Sequence, residues 1–301
     1  MDQTCNVLSL ATGAGGLDLG VRLALGNART VCAVEIEAYA CEILAERMEE
    51  GRLDDAPIWS DLRSFDGRPW RGVVDLVVGG YPCQPFSLAG KRKGADDPRH
   101  LWPHVARVVR EVRPGAVFFE NVLGHVSLGL DLVVRELCEM GFRVEAGVFS
   151  AAEVGAPHRR RRVFILGLAD SALEPQREPQ HAKGSIARGD ARQGACRGGV
   201  RVGEAVGDPN RPGLEGWGLR GRICSDERAV GSAGGSVWPP GPDDREGWAA
   251  FLERWPGAEP AVRRNADGLA ARVDRLRLCG NGVVPQQAAL AFRTLWAKLN
   301  G

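Results

Sequence analysis

The chain has 301 residues, with 39 lysines and arginines against 38 aspartates and glutamates and a formal net charge of +1. Hydrophobic residues make up 44% and charged residues 26%, which excludes a disordered polyelectrolyte and leaves apolar material for a sizeable core, with two domains expected from the length. No run of about 18 apolar residues predicts a membrane span, and Met1-Asp2-Gln3-Thr4-Cys5 lacks the basic start and apolar stretch of a secretory signal. A cytoplasmic chain with no membrane partner is therefore expected.

The first 170 residues alternate between strand and helix signals. Val7-Leu8-Ser9-Leu10 reads as a strand ending in a glycine cluster, and Leu17 to Leu25 as a helix. Val31 to Val34 predicts a second strand, Ala38 to Glu50 a helix stopped by Gly51, and Ile58-Trp59 a brief third strand. Val73 to Val78 has the continuous apolar run of a buried strand and ends at Gly79-Gly80. A helix over Leu101 to Val112 tolerates Pro103 in its first turn. Ala116 to Phe119 predicts a fifth strand, Asp131 to Met140 a helix closed by Gly141, and Val144 to Phe149 and Val163 to Leu166 two more strands. This rhythm implies an α/β fold, a doubly wound and mostly parallel sheet with helices on both faces.

The rhythm breaks near Ala169. From Gly184 to Gly235, 14 of 52 residues are glycine and no apolar period continues, so the stretch reads either as a linker or as a loop-rich recognition segment. Helical and aromatic character resumes from Trp238 to Trp255, and Gln286 to Leu299 predicts an amphipathic helix after Gly280-Asn281-Gly282.

The eight cysteines are scattered and form no Cys-x-x-Cys pair, so neither a metal site nor a disulfide framework is expected. Most read as small buried hydrophobes. Among the basic residues only four are lysines (91, 93, 183 and 298), leaving 35 arginines. Arginine suits phosphate and guanine contacts, although GC-rich coding would give the same bias.

Three clusters carry chemistry. Ala11-Thr12-Gly13-Ala14-Gly15-Gly16 joins a strand to a helix, where backbone N–H groups can approach a ligand closely. Glu35 follows 19 residues after Gly16, at the end of the second strand, where an acid can accept both hydroxyls of a ribose. Asp61 could accept an adenine amino hydrogen. No phosphate-seeking lysine follows the glycines, which favours a phosphate-free nucleoside such as S-adenosylmethionine over a dinucleotide. In the second cluster, Cys83 sits between prolines in Gly79-Gly80-Tyr81-Pro82-Cys83-Gln84-Pro85, at the end of a strand, a poor setting for a core cysteine. The fifth strand ends at the same edge in Glu120-Asn121-Val122. The third cluster, Gly155-Ala156-Pro157-His158-Arg159-Arg160-Arg161-Arg162, leads into a strand, and four arginines by themselves usually form a solvated face.

Taken in order, the glycine loop, Pro82-Cys83-Gln84, Glu120-Asn121-Val122, the Arg-x-Arg of Arg160 and Arg162, and Gly280-Asn281 resemble the DNA cytosine-5 methyltransferases of prokaryotes and phages. The likeness covers roughly residues 6–168 and 276–296, and the pairing of Pro-Cys-Gln with Glu-Asn-Val is its most specific part. It implies a catalytic, cofactor-binding domain over residues 1–169 and 276–301 and a smaller target-recognition domain over 170–275. It implies that Cys83 is the nucleophile that adds to C6 of a flipped-out cytosine, and that Glu120 relieves the charge created at N3. Arg162 would hold the base's O2, and Arg160 would order the cysteine loop and a nearby phosphate. S-adenosylmethionine would be held by Ala11, Gly13, Ala14, Gly15, Gly16, Glu35, Ile36, Asp61, Leu62, Pro82, Leu101 and Asn281, with the closing helix lying against the first helix. Gln84, Ser87, Lys91, Arg92, Lys93 and Arg99, in and beside a segment similar to the family's mobile loop, would grip DNA.

The expected partners are double-stranded DNA and, as the family allows, a restriction endonuclease of the same specificity; a monomer and no metal are expected. Two departures stand out. Ala11 replaces the aromatic residue that usually stacks on adenine, and His158 replaces a glutamine. An RNA cytosine-5 methyltransferase and a non-catalytic DNA-binding module of the same fold are the alternatives. The long glycine-rich segment favours DNA over RNA, and intact Cys83, Glu120, Arg160 and Arg162 favour an enzyme.

Overall fold

A computed structural model describes residues 4–82, 101–170, 238–239, 244–256, 274 and 277–301. Its elements are β1 (Cys5–Leu10), α1 (Gly16–Leu25), β2 (Ala28–Val34), α2 (Ala38–Glu49), β3 (Ile58–Trp59), β4 (Leu76–Gly79) and α3 (Trp102–Val112), followed by β5 (Ala116–Val122), α4 (His125–Leu128), α5 (Leu130–Glu139), β6 (Phe142–Phe149), β7 (Arg162–Ala169), α6 (Arg245–Arg254) and α7 (Pro285–Asn300). The strands form one sheet in the order β3-β2-β1-β4-β5-β7-β6. The pairings from β3 through β5 are parallel, and β7 runs antiparallel to both β5 and β6.

Both faces of the sheet are covered. Leu8, Leu10, Val77, Val117 and Phe119 point into one core with Val105, Val108 and Val109 of α3 and Val133 and Leu137 of α5. Val7, Leu76, Val78, Phe118 and Phe164 point into the other with Leu17 and Val21 of α1 and Phe292 and Leu295 of α7. This double burial explains why β1 and β4 read as continuous apolar runs. Asp18 pins α1 to the sheet: its buried carboxyl accepts hydrogen bonds from the Ser9 and Thr30 hydroxyls, each at 2.9 Å, while burial pushes its pKa up.

The closing helix α7 packs along α1, as the family resemblance implies. The fit depends on glycine. A Cβ at Gly16 would collide with the Val283 carbonyl, and one at Gly20 would stand 2.5 Å from Ala288 Cβ. The two ends of the chain thus complete one core.

Three details differ from the sequence expectations. β4 begins at Leu76 rather than Val73, because the Val73 and Val74 amides both turn back onto the Trp70 carbonyl and leave Val73 exposed. β5 extends through Val122, three residues beyond the apolar run Ala116 to Phe119, and so ends in Glu120-Asn121-Val122. The short helix α4 falls in a stretch whose period is too brief to read. Among the described residues no helix is long and apolar enough to cross a membrane. Most of the segment expected to form a second domain, 170–275, lies outside the described residues.

Candidate active site

The sheet order reverses between β1 and β4, so the loops leaving their carboxyl ends diverge and open a crevice, the usual ligand position in such folds. On the β1 side, the loop after Leu10 turns through left-handed conformations at Ala11 (φ 49), Gly13 (φ 58) and Gly15 (φ 74). Glu35, buried at the end of β2, holds this turn: one carboxylate oxygen accepts the Gly13 N–H at 2.7 Å and the other accepts the Glu37 N–H at 2.9 Å. Each oxygen keeps a further lone pair. A Cβ on Gly13 would meet nothing within 4 Å, so the loop faces open space there. Ile36 beside Glu35 is 58% exposed, an apolar surface at the same edge.

Asp61 follows β3, which pairs with the end of β2. Its carboxylate is engaged by Arg63 through the backbone N–H at 2.9 Å and through the guanidinium, and these hydrogen bonds hold its pKa down. Leu62 is packed in the core. Leu101 is half-buried, and Pro82 and Asn281 are exposed.

Across the crevice, β4 runs on into Gly80 and Tyr81. A Cβ on Gly80 would lie 3.6 Å from Glu120 Oε2 and 4.0 Å from the Ala11 carbonyl, so the Gly80 backbone joins the two sides. Asn121 donates its amide to the Tyr81 carbonyl at 2.9 Å and fixes the chain just before Pro82. Tyr81 is buried against Trp102 and Phe119, with its hydroxyl 3.1 Å from His125 Nε2. Burial pushes the His125 pKa down to about 4, so this imidazole is neutral at physiological pH. Cys83, Gln84, Ser87, Lys91, Arg92, Lys93 and Arg99 lie outside the described residues.

The reversed direction of β7 delivers the arginines. Because β7 is antiparallel, its first residue, Arg162, pairs with Val122 at the same edge where β5 ends. Arg162 Nε lies 2.9 Å from Glu120 Oε1. The contact is one of charge, since Glu120 Oε1 is buried with no aligned hydrogen bond from any described residue. Burial pushes the Glu120 pKa up to about 7, against the opposing pull of Arg162 and Arg160. A carboxyl poised near neutrality can hold or release a proton at working pH.

Arg160 has a left-handed backbone (φ 35). Its guanidinium donates to the carbonyls of Gly280, at 2.8 Å, and Gly282. Among the described residues it thus fastens the closing segment beside Asn281, a contact not foreseen from sequence. Two other residues were missed. Gln287, fully buried in the first turn of α7, donates to the carbonyls of Phe149 at 2.8 Å and Arg160 at 3.0 Å. The available signal was a glutamine in an otherwise apolar stripe with Ala291 and Leu295. Trp238 donates its indole N–H to the Val154 carbonyl at 2.8 Å and lies over Gly155, edge-on to His158. It therefore braces the turn that feeds the arginines.

The other described cysteines are poor nucleophiles where buried. Burial pushes the Cys5 thiol up to about 12 and the Cys32 thiol up to about 11. Among the described residues no cluster of His, Cys, Asp and Glu could hold a metal ion.

Comparison with known proteins adds a family. Residues 5–191 match the model of the C-5 cytosine-specific DNA methylases. The chain is 35% identical over 200 residues to the Type II methyltransferase M.AquIA of a Picosynechococcus strain, a match covering 60% of this chain and 79% of that one. It is 34% identical over 165 residues to M.NgoMIV of Neisseria gonorrhoeae, covering 54% and 51%, and 34% identical over 173 residues to M.PspPI of a Psychrobacter strain, covering 55% and 40%. The chain thus spans about half or less of the length of these last two relatives. In fold it is similar to crystal structures of a Spodoptera frugiperda DNMT2 mutant (TM-score 0.56, 17% identity, 97% of this chain and 100% of that one) and of the S. pombe Dnmt2 methyltransferase (TM-score 0.55, 20% identity, 99% and 100%).

Proposed function

The chain belongs to the C-5 cytosine-specific DNA methylase family, and from that premise we propose that it methylates C5 of a cytosine in duplex DNA, with S-adenosylmethionine as methyl donor. The observation that carries this reading is the buried Glu120, poised near neutrality beside Arg162 at the edge where β4 runs into Pro82-Cys83.

The crevice fits the donor. Gly13 faces open space, Glu35 keeps acceptor capacity for the hydroxyls of a ribose, and exposed Ile36 offers an apolar face. Gly13, Ala14, Gly15, Gly16, Glu35, Ile36 and Asn281 would hold the molecule, which when bound supplies an electrophilic methyl group that C5 accepts. The engagement of Asp61 by Arg63 leaves it a weaker acceptor for an adenine amino group.

On the other side, C5 of cytosine is a poor nucleophile until a thiolate adds at C6. The Cys83 sulfur forms the bond to C6, and the electron pair of the C5–C6 double bond becomes available at C5. Glu120 places its proton at N3, so the ring stays neutral as the thiolate adds. Arg162, held against Glu120, is the donor for O2. After methyl transfer a base, read here as water, removes the C5 proton, N3 returns its proton to Glu120, and Cys83 leaves C6 as a thiolate, which restores the neutral ring. The target must leave the base stack first, at a cost of a few kcal/mol. The segment over residues 85–99, with Lys91, Arg92, Lys93 and Arg99, is suited to closing over it and gripping phosphates. Sequence choice falls to residues 170–275, the only large stretch outside the catalytic blocks.

The test is to incubate the full chain with labelled S-adenosylmethionine and bulk unmethylated duplex DNA, tRNA or no nucleic acid, and to identify the labelled base. We expect 5-methylcytosine in the DNA. Label in tRNA alone would select the RNA reading, and no label anywhere would select a binding module.

A further inference from the structure

We propose that Gln287 is a positioning residue: by holding the Arg160 carbonyl it sets the Arg160 guanidinium on the Gly280–Gly282 segment, so that the cofactor side and the base side of the crevice are fixed by one buried junction. The inference rests on the methyltransferase reading and goes beyond it.

Gln287 is inaccessible to solvent and surrounded by the apolar face of α7. Its Oε1 has no partner among the described residues. A buried glutamine with an unpaired oxygen is costly where leucine or methionine would fill the same space, so the feature that explains its presence is its pair of N–H donors. These reach the last residue of β6 and a residue just before β7. This amide thus bridges the two ends of the turn that carries the arginines, beside the Ser150 hydroxyl and the Ala151 N–H, which both donate to the Arg159 carbonyl.

Arg160 occupies a backbone conformation that residues other than glycine rarely adopt, and a hydrogen bond to its own carbonyl is a direct means of keeping it there. From that conformation its guanidinium reaches the carbonyls of Gly280 and Gly282. The next residue, Val283, lays its carbonyl against Gly16 of the glycine loop, where no Cβ fits. In the other direction Arg160 lies two residues before Arg162, which contacts Glu120. Both Arg160 and Arg162 act on the Glu120 carboxyl electrostatically. Release of Arg160 would thus loosen the closing segment over the glycine loop and remove one cation acting on Glu120.

The test uses the full chain carrying Gln287→Met, which keeps the volume and removes both donors. Two quantities are read: the S-adenosylmethionine dissociation constant without DNA, by calorimetry, and the pH dependence of kcat on bulk unmethylated duplex DNA. We expect binding about tenfold weaker, kcat about tenfold lower, and the limb belonging to Glu120 moved to higher pH. Gln287→Asn, which keeps the amide on a shorter stem, should show the same shifts at smaller size. A lower melting temperature with unchanged binding and an unchanged pH limb would make Gln287 a merely structural residue and overturn the inference. A change in only one of the two readouts would overturn the coupling, as would failure of both variants to fold. If wild type bound and methylated normally and the variants matched it, this inference alone would fall. If wild type neither bound the donor nor methylated, the functional reading would fall first.

Discussion

The two sides of the crevice are built on opposite principles. On the β1–β2 side, polar groups are matched: both Glu35 oxygens accept backbone N–H groups, and the Asp18 carboxyl takes two hydroxyl donors. On the β5–β7 side, polar groups are buried and left wanting. Glu120 Oε1 meets Arg162 Nε at 2.9 Å as an ion pair, while Arg160 Nε and Gln287 Oε1 are buried without a hydrogen-bond partner among the described residues. Each such atom costs about 1–3 kcal/mol, and buried atoms of this kind in a folded protein call for an explanation, a catalytic role among them. The contrast teaches a division of labour. A cradle fixed by backbone N–H groups is suited to holding a ligand in one pose, while a cluster with unmet polar atoms is suited to stabilising charge that appears only during reaction.

The predictions test that contrast. The largest effect is expected from Cys83→Ala, which should leave no detectable methyl transfer while DNA binding, measured by gel shift, stays close to wild type. Turnover near the wild-type rate would remove the covalent mechanism.

Glu120→Gln keeps the shape and removes the proton exchange, so the rate should fall roughly 10²-fold or more. The sign of the pH dependence is fixed by the shift. Burial holds the Glu120 pKa at about 7, so the protonated form, the one the proposed mechanism uses, predominates below that pH and is lost above it. The wild-type rate should therefore fall as pH rises through neutrality, and the glutamine variant should lose that limb. An unchanged rate with weaker DNA binding would make Glu120 structural.

The cradle should respond differently. Glu35→Gln replaces a charged acceptor with a neutral one, so S-adenosylmethionine binding should weaken by about 1.5–3 kcal/mol, roughly ten- to a hundredfold. The Glu120 limb should stay where it is. Movement of that limb would blur the distinction between the two sides.

The smallest effect concerns Ala11. Its backbone is left-handed, and the resemblance leads one to expect an aromatic residue at its position. Ala11→Phe should tighten donor binding by about 0.5–1.5 kcal/mol if the adenine face is open. Weaker binding by calorimetry would mean that another side chain already fills the space.

The sequence made most of the framework legible because its periods are local. α1, α3 and α7 carry strong helical stripes, and β1 and β5 are short apolar runs ended by glycine or by the polar pair Glu120-Asn121. The candidate residues Gly13, Glu35, Glu120 and Arg162 could be read because each lies within three residues of a strand terminus at one edge of the sheet. What escaped was contact across long separations. The Trp238 bond to Val154 spans 84 residues and the Arg160 bond to Gly282 spans 122. Neither leaves a local period, and Arg160 within a run of four arginines looks the same whether it is solvated or fastened to a neighbouring carbonyl. The late start of β4 was equally hidden, because Val73 and Val74 have strand character in sequence but are captured by the turn at Trp70.

The central claim is that Cys83 attacks a cytosine held by Glu120 and Arg162, and covalent trapping tests it most directly. A duplex in which every cytosine carries fluorine at C5 contains the target in any sequence, and fluorine cannot leave as the proton does. With S-adenosylmethionine present, the wild-type chain should form a complex with this DNA that survives denaturant, and Cys83→Ala should form none. A complex formed equally by Cys83→Ala, or no complex from a wild-type chain that methylates ordinary DNA, would contradict the account.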